Sequence, residues 1–303
     1  KTTTAVNLAA ALAAVPRKVL LVDMDPQGNA TMASGVDKRE LENSTCEVLL
    51  AECPASAAIV KTAENYDLLP GNIDLTAAEI RLMDETERER RLKNALEPIR
   101  GNYDYIIIDC PPSLGMLTLN ALAVADGVIV PMQCEYFALE GLSSLVDTIN
   151  ALKGKLNPAL EIEGIVRTMF DVRNNLANAV SGELTAHFGD KVFRTIVPRN
   201  VRVAEAPSHG QSIVGYDRTS RGGVAYLGLA GEILRRQHER NKPQPKYVLA
   251  AWAAAWRPCW APATRARRRP RNHRSRPRAC ASCRSWPCSP ASTSRAPAWT
   301  RPS

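Results

Sequence analysis

The 303 residues are 45% hydrophobic, enough to bury a full core in one or two domains, and no apolar run is long enough to span a bilayer. The formal charge of +8 is unevenly placed: twelve of the 39 basic residues, all Arg, lie from Val248 onward, where there is no Asp or Glu, so residues 1–247 set 27 Lys and Arg against 31 acids and carry −4. All five Trp and half of the eight Cys share that tail, which leaves a mildly acidic, Trp-free body whose four scattered Cys suit a reducing cytoplasm and exclude a disulfide framework.

The chain opens on Lys1-Thr2-Thr3-Thr4, the form of the second half of a phosphate loop, G-x-x-x-x-G-K-[ST], with the glycines missing. Helix formers follow, with Ala5, Leu8, Ala9 and Leu12 on one face, and predict a helix over 3–14. After Pro16 an apolar run predicts a buried strand over 18–23 whose end carries Asp23 and Asp25. The segment 34–65 is irregular. Further strands are expected near 66–69, 103–109, 126–131, 160–167 and 192–196, and helices near 75–99, 114–124, 138–154, 174–188 and 222–238. The charged stretch Glu85 to Arg91 reads as a solvated helix face with a Glu87–Arg91 pair at i,i+4. Strands alternating with helices predict an α/β fold, a doubly wound and mostly parallel sheet.

Five ordered blocks carry a family resemblance: the opening K-T-T-T-A-V-N-L-A, V-D-M-D-P-Q-G-N at 22–29, Y-D-Y-I-I-I-D-C-P-P at 103–112, P-M-Q-C-E-Y-F-A-L-E-G at 131–141 and P-R-N-V-R-V-A-E-A-P-S at 198–208. Together they resemble ParA/Soj-type partition ATPases, P-loop enzymes of the deviant K-G-G-x-G-K-T-T class, over about residues 1–240. The resemblance implies ATP and Mg²⁺ as cofactors, an ATP-dependent homodimer, non-specific DNA binding, slow hydrolysis stimulated by a ParB-type centromere-binding partner, and a cytoplasmic, nucleoid-associated location with no membrane.

Carried over residue by residue, it implies that Lys1 reaches the β/γ-phosphates, that the Thr2 hydroxyl binds Mg²⁺, and that Thr3 meets the α-phosphate or caps the helix. Asp109, at the end of a central strand, would hold the metal directly or through water; Asp25 would orient the attacking water and Asp23 support the metal. Pro198, Arg199 and Asn200 match the stretch that lines the adenine pocket. Arg173 and Arg202 fall where relatives contact DNA, with Arg218 and Arg221 adding to that surface. Gln133 and Glu135 sit at the next strand end, where structural roles are equally open, and Cys110 and Cys134 read as small core hydrophobes.

Against the family pattern, the first strand and the glycine loop are missing. Their loss is expected to leave two neighbouring strands without ladder partners and to weaken folding or ATP binding. Asn241 to Tyr247 is expected to be a linker, closing a domain over 1–240. The Arg-, Pro-, Ala- and Trp-rich tail 248–303 shows no strand alternation; it reads as a disordered basic arm, a short membrane-surface helix or out-of-frame translation. A MinD-like membrane-associated ATPase and a non-functional product are the rival readings of the whole.

Overall fold

The computed structural model describes residues 1–240 and 246–250. Its centre is an eight-stranded sheet: β1 (Val19–Asp23), β2 (Val60–Lys61), β3 (Asp67–Leu69), β4 (Tyr105–Asp109), β5 (Gly127–Gln133), β6 (Glu161–Phe170), β7 (Val192–Pro198) and β8 (Lys246–Ala250), in the order β2-β3-β1-β4-β8-β5-β6-β7. Every pairing is parallel except β2 with β3. All five residues of β1 and of β4 are buried. That is why those strands read as continuous apolar runs: both faces are covered, and each residue faces one of two cores.

The pleat divides the runs between two layers. Leu20, Val22, Ile106, Ile108 and Val128 pack with the helices Met116–Val124, Ala138–Lys153 and Asn175–Phe188, while Leu21, Tyr105, Ile107 and Ile129 pack with the helices Thr2–Ala13 and Arg221–Glu239. The six strands and most helices expected from the sequence are present. The segment 34–65, expected to be irregular, holds the short helices Thr45–Leu49 and Ala55–Ala58 and strand β2, and two further expectations need correction.

The first concerns the helix over 75–99, which is broken into Leu75–Arg81, three short 3₁₀ turns and Arg91–Leu96. Glu87 adopts φ +50°, a left-handed conformation no helix interior accommodates. Asn120 stabilises the break, accepting the Leu92 N–H at 3.1 Å and donating to the Arg88 carbonyl at 2.7 Å. Arg91 accordingly pairs with Glu85 rather than Glu87.

The second concerns Lys246–Ala250, assigned from sequence partly to linker and partly to tail. It forms β8 in the gap between β4 and β5, five register pairs to one and three to the other. Tyr247 and Leu249 face one core and Val248 and Ala250 the other, an alternation hidden within the surrounding Ala-, Arg- and Pro-rich composition. The neighbours of the gap therefore have their ladder partner. The rest of the 248–303 tail, with the three readings of it, lies outside the described residues.

Candidate functional site: the nucleotide edge of the sheet

β1, β4 and β8 end in register, with Asp23 opposite Asp109 and Asp109 opposite Ala250. The C-terminal edge of a parallel sheet is where ligands bind in such folds. Here the N-terminus of the first helix meets that edge.

That helix begins at Thr2 and has no side-chain cap. Its first intrahelical backbone bond is made by the Ala5 N–H to the Lys1 carbonyl, so the N–H groups before it have no partner in the helix, and the positive end of its dipole faces outward. The expectation that Thr3 caps the helix fails for this reason; the Thr3 carbonyl instead accepts from Asn7 Nδ2 at 2.6 Å. Lys1 Nζ lies 3.8 Å from Asp25 Oδ2 and donates to the Cys110 carbonyl, which brings the opening lysine, the post-β1 acid and the residue after Asp109 together.

The three acids differ in what their oxygens do. Asp25, 6% exposed, accepts the Gln27 N–H at 3.0 Å with one oxygen and faces Lys1 with the other. Asp23 is fully buried: one oxygen accepts the Asp25 N–H at 3.1 Å, the other the Thr31 N–H at 2.8 Å and the Thr31 hydroxyl at 2.7 Å. Asp23 thus shapes the turn that aims Asp25. Gly28, at φ +58°, makes that turn possible, since an added Cβ would lie 2.6 Å from the Gly71 carbonyl oxygen. Burial, followed by repulsion from Asp109, pushes the Asp23 carboxyl up to about 7.

Asp109 is fully buried and neither oxygen makes a hydrogen bond. Burial pushes its carboxyl up; the Lys1 charge and the nearby Thr2 hydroxyl, close but outside full hydrogen-bonding geometry, pull the other way. A buried carboxylate without donors is a costly group in isolation, and a divalent cation beside it removes the cost. With a hydroxyl at Thr2 and an acid at Asp109, the donor set is the hard-oxygen kind that Mg²⁺ takes. Titration of Asp-labelled protein by ¹³C NMR is expected to show Asp23 with a midpoint near pH 7 and Asp109 also raised without nucleotide, both falling with Mg²⁺ and ADP present. Normal midpoints for every aspartate would contradict this electrostatic picture.

A cavity of about 430 Å³ opens beside Thr2 and Thr3, bounded by Asn7, Asn29, Met32, Pro207, Ser208 and Gln211. Pro198, Arg199 and Asn200 do not line it. They leave the end of β7, where the Arg199 N–H reaches the Phe170 carbonyl at 3.1 Å and the Asn200 side chain caps the helix Val201–Glu205 through the Val203 N–H. A larger space, about 540 Å³ around Val48 to Ser56 and Arg91 to Ile99, borders none of the three acids. Gln133 is half-buried at the end of β5 and Glu135 exposed, while Cys110 and Cys134 are buried as expected.

The four arginines are exposed. Arg173 forks onto Asp171 at 3.0 and 2.8 Å, holding that carboxyl down at about 2. Arg202 meets Glu205 at 3.1 Å and Asp217 at 3.9 Å, which ties it to the turn carrying Arg218 and Arg221. Arg218 and Arg221 have no ion pair among the described residues. Nothing in the sequence marks Thr31 or Asn7, whose Oδ1 accepts the Ile213 N–H at 2.6 Å and locks the first helix to the segment near Gln211.

A family model described as an AAA domain matches residues 1–162. The sporulation initiation inhibitor protein Soj of Bacillus subtilis is 52% identical over 234 residues, 77% of this chain and 92% of that protein. The chromosome partitioning protein ParA of Caulobacter vibrioides is 49% identical over 243 residues, 79% of this chain and 91% of that one. Among solved structures, cobyrinic acid a,c-diamide synthase of Mycobacterium smegmatis, with bound ATP analogue and magnesium, superposes with a TM-score of 0.69 at 38% identity, over 81% of this chain and 93% of that one.

Proposed function

The chain belongs to the ParA/Soj family of chromosome-partitioning P-loop ATPases, and from that premise we propose that it is a DNA-segregation ATPase acting as an ATP-dependent homodimer on DNA. The observation that carries the reading is the meeting of Lys1, Asp25 and the unpartnered Asp109 at the N-terminus of the first helix. Phosphoryl transfer asks for positioning and charge neutralisation, and these groups offer both. The free N–H groups of the first turn and Lys1 hold phosphate oxygens. Asp25 accepts a hydrogen bond from the attacking water and orients it. Thr2 and Asp109 hold Mg²⁺, which when bound neutralises charge on the phosphate oxygens, and Asp23 supports that site by shaping the turn. The solved relative with an ATP analogue and magnesium supports both cofactors.

In this reading Pro198 to Asn200 line the adenine side, and Thr3 sits at the α-phosphate. Arg173, Arg202, Arg218 and Arg221 form the surface for DNA phosphates, placing the protein on the nucleoid in the cytoplasm, and a ParB-type partner accelerates hydrolysis. A MinD-like membrane role fits less well. The helix Arg221–Glu239 has Tyr226, Leu229 and Ile233 buried in the core, so its apolar face is already covered.

Filter binding of non-specific duplex DNA with ATP at several salt concentrations tests the reading. Changing the four arginines to alanine should abolish binding near physiological salt, and each single change should lower the salt slope by about 1. Wild-type affinity in the fourfold variant would remove these arginines from the function.

A further inference from the structure

The cavity of about 540 Å³ lies away from the nucleotide edge and has the size of a small-molecule site, about 300–1,000 Å³. One wall is the end of the helix Thr45–Leu49 and the turn through Cys53 and Pro54 into the helix Ala55–Ala58. The other is the helix Arg91–Leu96 with the residues on either side of it. Each wall turns through a left-handed residue that is not glycine, Ala51 at φ +60° and Glu87 at φ +50°. Only four such positions occur among the described residues, and two of them border this one space. Side chains with a Cβ disfavour that conformation, and it gathers where a ligand is held.

The lining is apolar with one unmet donor. Val48, Leu49, Ala55 and Ile99 are buried and form the floor. Arg91 borders the same space: one end of its guanidinium pairs with Glu85, while Nε is buried without a hydrogen-bond partner. A buried donor left unpaired is costly, and a ligand acceptor removes that cost.

The surrounding charges decide which acceptor suits. Arg91 is answered by Glu85 and Arg81 by Glu52 at 2.8 Å, and the bordering Glu87 has no ion pair among the described residues. An added anion therefore meets a region already in acidic excess, and like charges brought together are disfavoured. Cys53 contributes no charge, since burial, with Glu47 and Glu52 nearby, pushes its thiol up. A neutral carbonyl oxygen satisfies the Nε–H without that repulsion.

We propose that this cavity is a binding site for a small uncharged molecule with an apolar body and one carbonyl-type acceptor, the body lying on Leu49, Ala55 and Ile99 and the acceptor taking the Arg91 Nε–H. The site shares no residue with the cavity beside Thr2 and Thr3 and stands whether or not the nucleotide reading holds.

Three probes of similar size test it on the full chain: acetanilide (neutral, with a carbonyl), benzoate (an anion) and indole (no carbonyl). Saturation-transfer NMR gives their affinities, and mass spectrometry of the Cys53 peptide after iodoacetamide treatment reports on the cavity itself. Acetanilide is expected to bind with a Kd on the order of 1 mM and, at about 5 mM, to slow Cys53 alkylation about threefold or more. Benzoate and indole should bind about tenfold more weakly. Ala95→Phe, which fills the cavity, should abolish acetanilide binding. Arg91→Met, which keeps the apolar stem, should lower acetanilide to the level of indole, and it serves alone should the phenylalanine variant not fold. No protection of Cys53 by acetanilide, or binding that survives Ala95→Phe, overturns the site. Equal affinity for the three probes, or an unchanged affinity in Arg91→Met, overturns the ligand class.

Discussion

Replacing Asp25 with alanine is expected to lower the ATP hydrolysis rate by about 10²–10³-fold, the usual contribution of a positioned side chain that handles the attacking water's proton, while nucleotide affinity stays within about threefold. The separation follows from what the carboxylate touches. One oxygen accepts the Gln27 N–H and the other faces Lys1 at 3.8 Å, so no helix or strand depends on it. The turn that carries Asp25 is formed by Asp23, Thr31 and Gly28, which remain in the variant. Lys1 keeps its bond to the Cys110 carbonyl and is left with its charge free for phosphate. Asp25→Asn sharpens the test, because the amide oxygen can still accept from Gln27 but the side chain cannot serve as a carboxylate base. Phosphate release under single-turnover conditions gives the rate, and fluorescent nucleotide titration gives the affinity. Hydrolysis within a few-fold of wild type in both variants would take Asp25 out of the chemistry. A parallel collapse of affinity would instead make it a binding residue. Lys1→Ala is the contrast, since it removes ground-state charge and should weaken binding itself.

The parts of this site legible in the sequence were those fixed by short-range chemistry. Asp23, Asp25 and Asp109 could be placed because strands buried on both faces show as unbroken apolar runs, and the residue at the end of such a run lies at the ligand edge. The resemblance assigns Asp25 and Asp23 different roles, but the contacts that separate them were not legible. They depend on Thr31, eight residues beyond Asp23, whose N–H and hydroxyl occupy the Asp23 carboxylate. Nothing in the threonine's neighbours marks it.

The break in the helix over 75–99 was hidden for a related reason. Helix propensity and charge spacing favour continuity, and the opposing contribution comes from Asn120, on a different helix. β8 was missed through composition. Five residues with good strand alternation sit at the edge of an Arg- and Pro-rich tail, and the partners that make them a strand, β4 and β5, are more than a hundred residues away in the chain.

Glu232→Ala is expected to destabilise the fold by about 3–5 kcal/mol, the range for breaking a buried, hydrogen-bonded ion pair, and to lower the melting temperature by about 6–20 °C in a domain of this size. The carboxylate is 5% exposed and accepts the Arg194 N–H at 2.9 Å, the Thr195 N–H at 2.9 Å and the Thr195 hydroxyl at 2.8 Å, while Arg236 pairs with it at 2.7 Å. Those N–H groups belong to β7, the last strand of the sheet, whose pairing with β6 is irregular on both sides of Arg167. An edge strand with a slipped ladder has few backbone partners of its own, so Glu232 acts as the missing neighbour. Burial opposes ionisation of this carboxyl, but the donors from Arg194, Thr195 and Arg236 outweigh it and hold the group below its ordinary value. A depressed folded pKa gives stability that is present above the unfolded value of 4.5 and is lost as pH falls through the folded one. The gap in melting temperature between wild type and Glu232→Ala should therefore be wide at pH 7 and narrow as the pH falls below 4.5. A gap that does not change with pH would mean that lost packing, rather than the carboxylate's hydrogen bonds, accounts for the effect. Because β7 ends at Pro198 and runs directly into Arg199 and Asn200, loosening of this strand should, on the proposed nucleotide reading, show first as weakened nucleotide binding at temperatures where the rest of the sheet remains folded.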